Sequence, residues 1–259
     1  MRHLTDTHAH TVASTHAYST VEEYFRAAAD KGLQLFSITD HGPEMPDSPH
    51  PWHFGNMRVL PRIRYGVAML RGIEANILPA EIQSLDVNET LMSFMDFGIA
   101  SFHEPVFPPS DQKAHTRAMI AAMETGLVQI LGHPGNPNYP ININEVVRAA
   151  RDNNVLIEIN NSSFVSSRLG SEPYCIEILE TVQTLDWKVA LSSDSHVHYT
   201  VGDVDIALEK IDRLGFPEDK IVTLNARRLL EFLGEHGKPV AQDLSDWLDE
   251  LDAPEIIEL

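Results

Sequence analysis

Two histidines near the start of the chain, His8 and His10, have the spacing of a metal-binding pair. Residues at positions i and i+2 of a strand point to the same side, so both imidazoles can reach one ion. His16 follows after a short loop and can return to the same place. Imidazole binds zinc, copper, iron and nickel, so this segment predicts a transition-metal site.

Six further potential ligands each follow an apolar segment: His41, Glu74, His103, His133, Asp194 and His196. Asp194 and His196 repeat the i, i+2 spacing of the first pair. One such histidine alone would suit a buried structural role, but the recurrence along the chain favours metal ligation. The carboxylate of Glu74 has two oxygens and can bridge two ions, which an imidazole cannot do.

Apolar segments alternate with helical patterns along most of the chain. The predicted strands span residues 4–8, 33–39, 67–73, 97–101, 128–131, 155–159 and 188–191. The predicted helices span residues 20–31, 112–124, 144–153, 173–185, 203–214 and 225–233. Residues 221–224 are apolar but too short to count as an eighth strand. Alternation of this kind predicts parallel strands joined by right-handed crossovers.

Each potential ligand follows a predicted strand at its carboxyl end. In a closed α/β barrel these ends form one rim, where such folds build their active sites. A doubly wound open sheet would gather ligands only near a switch point between two strands. The sequence therefore predicts a single-domain α/β barrel that carries its site on the C-terminal rim of the strands.

Composition restricts the class of protein. The chain has 259 residues, 43% of them hydrophobic, and contains no run long enough to span a membrane. Its single cysteine, Cys175, excludes an internal disulfide and, with no secretory signal, suggests a cytoplasmic protein. The net charge of −19 argues against general nucleic-acid binding, although bound cations can make a rim locally positive.

Two segments each allow two interpretations from the sequence. Residues 52–58 suggest an aromatic lid over the rim, with Arg58 as a clamp for phosphate, or else a packed loop with a surface arginine. Residues 238–259 form an acidic tail outside the main domain of residues 1–237. Leu244, Trp247, Leu248 and Leu251 would lie on one side of a helix there, but a solvated tail that docks in part is preferred.

The motifs together resemble those of the polymerase and histidinol phosphatase (PHP) superfamily, and within it the YcdX-type phosphatases. The matching segments are HAH at 8–10, His16, TDHG at 39–42, GIEAN at 72–76, FHEP at 102–105, GHPGNP at 132–137, EINNSS at 158–163 and SDSH at 193–196. The resemblance runs from residue 4 to about residue 235.

The resemblance implies a distorted (β/α)7 barrel, TIM-like, with three divalent transition-metal ions, zinc first and manganese or iron as alternatives. It implies one ion on His8, His10, Glu74 and Asp194, a second on Glu74, His103 and His133, and a third on His16, His41 and His196. The implied reaction is hydrolysis of a small phosphomonoester by a metal-activated hydroxide. Glu74 would bridge, Arg58 would neutralise phosphoryl oxygens, and Asp194 or a nearby histidine would protonate the leaving oxygen.

Other functions remain open from the sequence. A PHP-type nuclease or phosphodiesterase would act on nucleotides or short oligonucleotides, the only nucleic-acid partners expected. An amidohydrolase commonly bridges its metals with a modified lysine, but all six lysines lie outside the ligand positions. A non-catalytic metal-binding protein would favour thiolates and a closed ligand shell. No membrane partner is expected, and self-association into a homo-oligomer is left open.

Overall fold

A computed structural model describes residues 1–81 and 83–252 of the chain. The strands are β1 Thr5–Asp6, β2 Leu35–Ile38, β3 Ile63–Arg64, β4 Val67–Asn76, β5 Phe97–Ser101, β6 Ile130–Leu131, β7 Leu156–Asn160 and β8 Val189–Ser192. The helices are α1 Val21–Asp30, α2 Trp52–Asn56, α3 Glu89–Met92, α4 Gln112–Glu124, α5 Ile143–Asp152, α6 Ser162–Val165, α7 Glu172–Thr184, α8 Asp205–Leu214, α9 Ala226–Glu235, α10 Val240–Asp243 and α11 Ser245–Asp252.

Seven strands run parallel in the order β1-β2-β4-β5-β6-β7-β8 and curve into a nearly closed barrel surrounded by helices. The seam between β8 and β1 is joined at the rim by a parallel bridge between Ala9 and Ser195. At the opposite end residues 221–224 fill the seam, and the Leu4 amide donates to the Leu224 carbonyl at 2.9 Å. The predicted α/β barrel in a single domain is confirmed.

The barrel interior is layered, because alternate residues of a strand share one side. Leu35, Leu70, Ile130 and Ala190 belong to one buried apolar cluster with residues of α9 and α11. Two positions further along the same strands stand the small residues Ser37, Gly72, Gly132 and Ser192. A Cβ at Gly132 would lie 2.1 Å from Ser101 Oγ. This narrow layer separates the apolar floor from the polar rim.

Local sequence signals account for the helix ends that lead into the barrel. Thr20 caps α1: its hydroxyl accepts from the Glu23 amide at 3.4 Å, and its own amide donates to Glu23 Oε2 at 2.7 Å. Ser19 with Glu22 and Thr20 with Glu23 both have the spacing of a capping box, and the structure forms the second of these pairs. The cap fixes where the chain leaves the loop that carries His16.

Several short elements differ from the prediction. The antiparallel strand β3, which pairs with β4, and helices α2, α3 and α6 lie in segments predicted as loops. They are two to five residues long, too short to show a hydrophobic period. Residues 221–224, by contrast, agree with the prediction: they make one bridge to β8 and a 3₁₀ turn and do not form an eighth strand.

The C-terminal segment packs against the amino end of the barrel. Val240, Leu244, Trp247 and Leu248 are buried in the cluster that contains the interior residues of the strands. The Trp247 indole donates to the Gly66 carbonyl at 3.3 Å. Residues 245–252 therefore form a helix whose apolar side covers the barrel floor. The alternative of an amphipathic helix fits them better than the solvated tail that was preferred from the sequence. Residues 253–259 lie outside the described part, and the domain boundary at residue 237 stays a prediction.

Within the part of the chain that the structure describes, no helix combines the length and apolar character needed to cross a membrane.

Candidate metal centre

Glu74, near the end of β4, stands at the centre of a buried group of imidazoles. Five histidine side chains have a ring nitrogen within 3.5 Å of its carboxylate: His8 at 3.2 Å, His103 at 3.4 Å and His133 at 3.0 Å from Oε1, and His10 at 3.5 Å and His41 at 2.9 Å from Oε2. These histidines follow β1, β2, β5 and β6. The rim of the barrel therefore brings them together, as parallel topology requires.

Asp194, directly after β8, meets the first histidine pair from the other side. Its Oδ1 lies 3.6 Å from His8 Nε2 and 3.4 Å from His10 Nε2. The backbone of Asp194 has φ 56° and that of His133 has φ 29°, values that residues other than glycine rarely adopt. Such strain is typical of sites that hold a side chain in a functional position.

A third group lies nearer the surface. His16 Nε2 is 3.3 Å from His41 Nε2 and 3.0 Å from His196 Nε2. The side chain of His16 is 45% exposed and that of His196 is 32% exposed. Nitrogen atoms that face one another without an intervening acceptor are the arrangement expected around a cation that binds imidazole.

All nine predicted ligands thus lie in one connected set. Three groups have ligand atoms that all lie within 4.8 Å of one another: His8, His10 and Asp194; His41, Glu74 and His103; and His10, His41 and His196. His10 and His41 each belong to two groups, so the partition among ions that the resemblance implies stays a prediction. The number of ions stays a prediction as well.

Unpartnered polar atoms in the buried part of this set test whether metal ions fit it. His8 Nε2, both nitrogens of His10, His41 Nδ1 and Glu74 Oε2 have no hydrogen-bond partner in the structure. His41 Nδ1 and Glu74 Oε2 are only 2.9 Å apart, yet they are not aligned for a hydrogen bond. Buried polar groups almost always have partners. The residues present therefore fit divalent metal ions.

Outer contacts orient three of the rings. Glu158 Oε1 accepts from His8 Nδ1 at 2.7 Å, Asn76 Oδ1 accepts from His103 Nδ1 at 2.7 Å, and Asp47 accepts from His16 Nδ1. Each contact occupies the Nδ1 atom and turns the Nε2 atom inward. Metal-bound histidines usually have such a partner on the second nitrogen.

The sequence did not single out Glu158, Asn76 or Asp47. Glu158 and Asn76 alternate with apolar residues in β7 and β4, and this was the signal available for them. Asp40, the residue before His41, accepts from the Thr11 amide at 2.8 Å and from the Ser14 hydroxyl at 2.9 Å. It shapes the loop that carries His16.

Burial and neighbouring charged residues shift the pKa values of several side chains in this group. Burial alone would raise the pKa of the Glu74 carboxyl, but His8 and His103 hold that pKa well below its ordinary value. Burial would likewise raise the pKa of Asp194, while His8 and Arg168 hold it well below the ordinary value. Burial and the neighbouring His41 lower the pKa of His10 to about 3. Glu74, Asp194 and His10 are thus in the protonation states that metal ligation needs.

Two arginines differ in their relation to the centre. Arg168, which the sequence did not single out, donates from Nη2 to Asp194 Oδ2 at 2.8 Å and to Asn160 Oδ1 at 3.0 Å. Arg58, the predicted clamp, follows α2 and lines a separate cleft. In residues 1–81 and 83–252 its guanidinium makes no contact with a predicted ligand. Arg168 could be recognised only once the path of the loop after β7 was known.

Comparisons with known proteins agree with this architecture. A family model described as PHP domain matches residues 6–162. A protein of Shewanella sediminis named "Probable phosphatase" is 50% identical over 246 residues, covering 95% of this chain and 100% of the relative. A "Probable phosphatase" of Tolumonas auensis is 48% identical over 239 residues, covering 92% of this chain and 97% of the relative.

One solved structure has a similar fold. It is a histidinol phosphate phosphatase from Lactococcus lactis in complex with zinc, L-histidinol and phosphate. Its TM-score is 0.57 at 16% sequence identity, and the match covers 83% of this chain and 94% of that chain.

Proposed function

The chain belongs to the PHP domain family, and from that premise we propose that it is a metal-dependent phosphatase that hydrolyses a phosphomonoester. The observation that carries the proposal is the set of imidazoles around the buried Glu74 carboxylate. In that set His8 Nε2, both nitrogens of His10, His41 Nδ1 and Glu74 Oε2 lack hydrogen-bond partners. Relatives of about half identity over nearly the whole chain bear the name phosphatase, which supports the reaction class.

The proposal assigns three ions to the nine ligands. His8, His10, Glu74 and Asp194 would hold the first, Glu74, His103 and His133 the second, and His16, His41 and His196 the third. Zinc is the first choice because the ligands are mostly imidazoles, and zinc is also the metal in the Lactococcus lactis structure. Manganese and iron are the alternatives.

Bound divalent ions would lower the pKa of a water molecule toward neutrality and offset charge on the phosphoryl oxygens. The protein's own residues position these ligands. Glu158 holds the His8 ring, and Arg168 and Asn160 hold Asp194 Oδ2, so that Oδ1 faces the histidine pair. Asp194 is the candidate to return a proton to the leaving oxygen, and no serine or cysteine nucleophile is required.

A substrate panel tests the reaction class. Sugar phosphates, nucleotides, histidinol phosphate and short oligonucleotides should be offered with zinc, manganese or iron supplied separately. We expect release of inorganic phosphate from monoesters, dependent on metal and abolished by a chelator. Much faster cleavage of oligonucleotides than of monoesters would establish the nuclease alternative. No turnover of any phosphoester with any metal would favour a binding role.

Arg168→Gln should lower kcat/KM for a monoester by about 10- to 100-fold, the usual effect of losing a group that orients a metal ligand. Its loss would leave Asp194 Oδ2 with the Asn160 side chain as its remaining partner and remove a positive charge beside the centre. Arg58→Gln is the matched control and should change kcat/KM by less than about threefold for a small alkyl phosphate. Comparable losses in both variants would contradict this assignment and restore Arg58 as the phosphate clamp.

A further inference from the structure

A large cleft lies beside the predicted metal centre on the side of His41 and His103. Its volume is about 1180 Å³, above the range of about 300–1,000 Å³ that is usual for small-molecule sites. Helix α2 and the segment around α3 form its walls. Neither the predicted metal ligands nor the residues that orient them require a space of this size.

Two residues connect this cleft to the centre. His53 lines it and places Nε2 3.0 Å from Oδ2 of Asp40, the residue before His41. Asp86 also lines it and accepts from the Asn76 side chain at 2.5 Å. Asn76 in turn accepts from the His103 ring. Two residues therefore separate a group bound in the cleft from each of two predicted ligands. His53 and Asp40 stand before His41, and Asp86 and Asn76 stand before His103.

Aromatic side chains are held exposed at this cleft. Trp52 is 82% exposed, whereas the other two tryptophans are almost fully buried. The Trp52 amide donates to His50 Nδ1 at 3.1 Å, and the two rings meet edge to face with centroids 5.4 Å apart. Phe94, on the other wall, is 44% exposed. Large apolar side chains held in an exposed position are typical of binding surfaces.

The polar residues of the cleft do not make it an anion site. The carboxylate of Asp86 is occupied by the Asn76 amide at 2.8 Å and by the Glu44 amide at 3.0 Å. Among the described residues that line the cleft, Arg58 is the one with a permanent positive charge. The cleft thus differs from the neighbouring centre, where charged ligands dominate, and suits the uncharged part of a substrate.

We propose that this cleft binds the leaving group of the substrate and selects one that carries a planar ring system, packed against Trp52 and Phe94. The inference rests on the proposed phosphatase function, since the phosphate of the same molecule would lie at the metal centre. The physiological substrate would then be a phosphomonoester of an alcohol that carries a ring system, and not the phosphate of a small aliphatic alcohol.

Two phosphates with matched chemistry test the selection. 2-Naphthylmethyl phosphate and ethyl phosphate both release a primary alcohol, so their intrinsic reactivities are similar. We expect the wild-type protein to show a kcat/KM at least about tenfold higher for the naphthylmethyl ester, the effect of one good aromatic contact. Trp52→Ala should remove most of that preference, measured as the ratio of the two kcat/KM values within the variant. Trp52→Phe should retain most of it.

Tyr65→Ala serves as the control, because Tyr65 is an exposed aromatic residue at the opposite end of the barrel. It should keep the wild-type preference. Equal kcat/KM values for the two esters in the wild-type protein, or a preference unaffected by Trp52→Ala, would overturn the proposal. So would a change in oligomeric mass on Trp52→Ala without a change in preference, because that would make Trp52 an interface residue.

Calorimetry separates this inference from the proposed reaction. Binding of 2-naphthylmethylphosphonate and ethylphosphonate can be compared in the wild-type protein and in Trp52→Ala without any turnover. Tighter binding of the naphthyl compound that depends on Trp52 supports the cleft even if no phosphate is hydrolysed. Equal binding of both compounds overturns the cleft even if hydrolysis is fast.

Discussion

Glu74→Gln should abolish phosphatase activity and release two of the three proposed ions, while the third remains bound. The carboxylate of Glu74 faces His8, His103 and His133 through one oxygen and His10 and His41 through the other. Glutamine keeps the shape but loses the negative charge that offsets two cations, and its amide nitrogen is a poor ligand. Loss of a residue that only orients a ligand costs about 10- to 100-fold, so loss of a bridging ligand should cost more.

The proposed site of His16, His41 and His196 explains why one ion should remain. His16 and His196 do not touch Glu74, and His41 faces His16 through Nε2, the nitrogen opposite to the one that approaches Glu74. Elemental analysis of Glu74→Gln, together with a melting curve and the hydrolysis rate, checks the expectation. His16→Ala, measured in parallel, should lose the third ion and keep the other two.

Glu104→Gln supplies the matched control. Glu104 follows His103 directly, is exposed, and makes its hydrogen bond to the Asn138 side chain at 2.5 Å. The same exchange of a carboxylate for an amide at this position should leave metal content and rate near the wild-type values. Near-normal activity of Glu74→Gln with three ions still bound would remove the bridging assignment.

The sequence predicted the barrel and the convergence of the nine candidate ligands because both follow from chain topology. Once strands are parallel and alternate with helices, the residue after each strand must lie on one rim. His103 and His133, far apart in the sequence, therefore approach the same oxygen of Glu74. Short elements such as α2 were missed because a few residues show no period and tertiary contacts decide their form.

The residues that orient the ligands could not be predicted in the same way. Arg168 lies eight residues beyond the end of β7, in an irregular segment where its own backbone has φ 52°. Only the path of that loop turns the guanidinium back onto Asp194. Asp47 reaches His16 across a loop as well. Arg58 was predicted as a clamp from its place in the aromatic lid segment, and the path of that segment places it in the neighbouring cleft.

Adding metal ions back to the metal-free protein should change the free energy of unfolding more than any of the substitutions proposed above. The chelated protein contains buried imidazole nitrogens and a carboxylate oxygen without hydrogen-bond partners, an arrangement that destabilises the folded state. An ion at 100 times its dissociation constant adds about 2.7 kcal/mol to the free energy of unfolding, so three sites would add about 8 kcal/mol. For a chain of this size we expect the melting temperature to rise by about 15–30 °C.

Elemental analysis of the same samples should give close to three transition ions per chain. Calorimetry or a melting curve should show the melting temperature rising as each metal is added. His16→Ala should hold two ions and show a smaller rise. His50→Ala is the matched control, since His50 is also an exposed histidine but is not one of the nine predicted ligands. It should behave as the wild-type protein does. A stoichiometry of one or none after reconstitution, or a melting temperature that metal does not change, would contradict the trinuclear centre on which the proposed reaction depends.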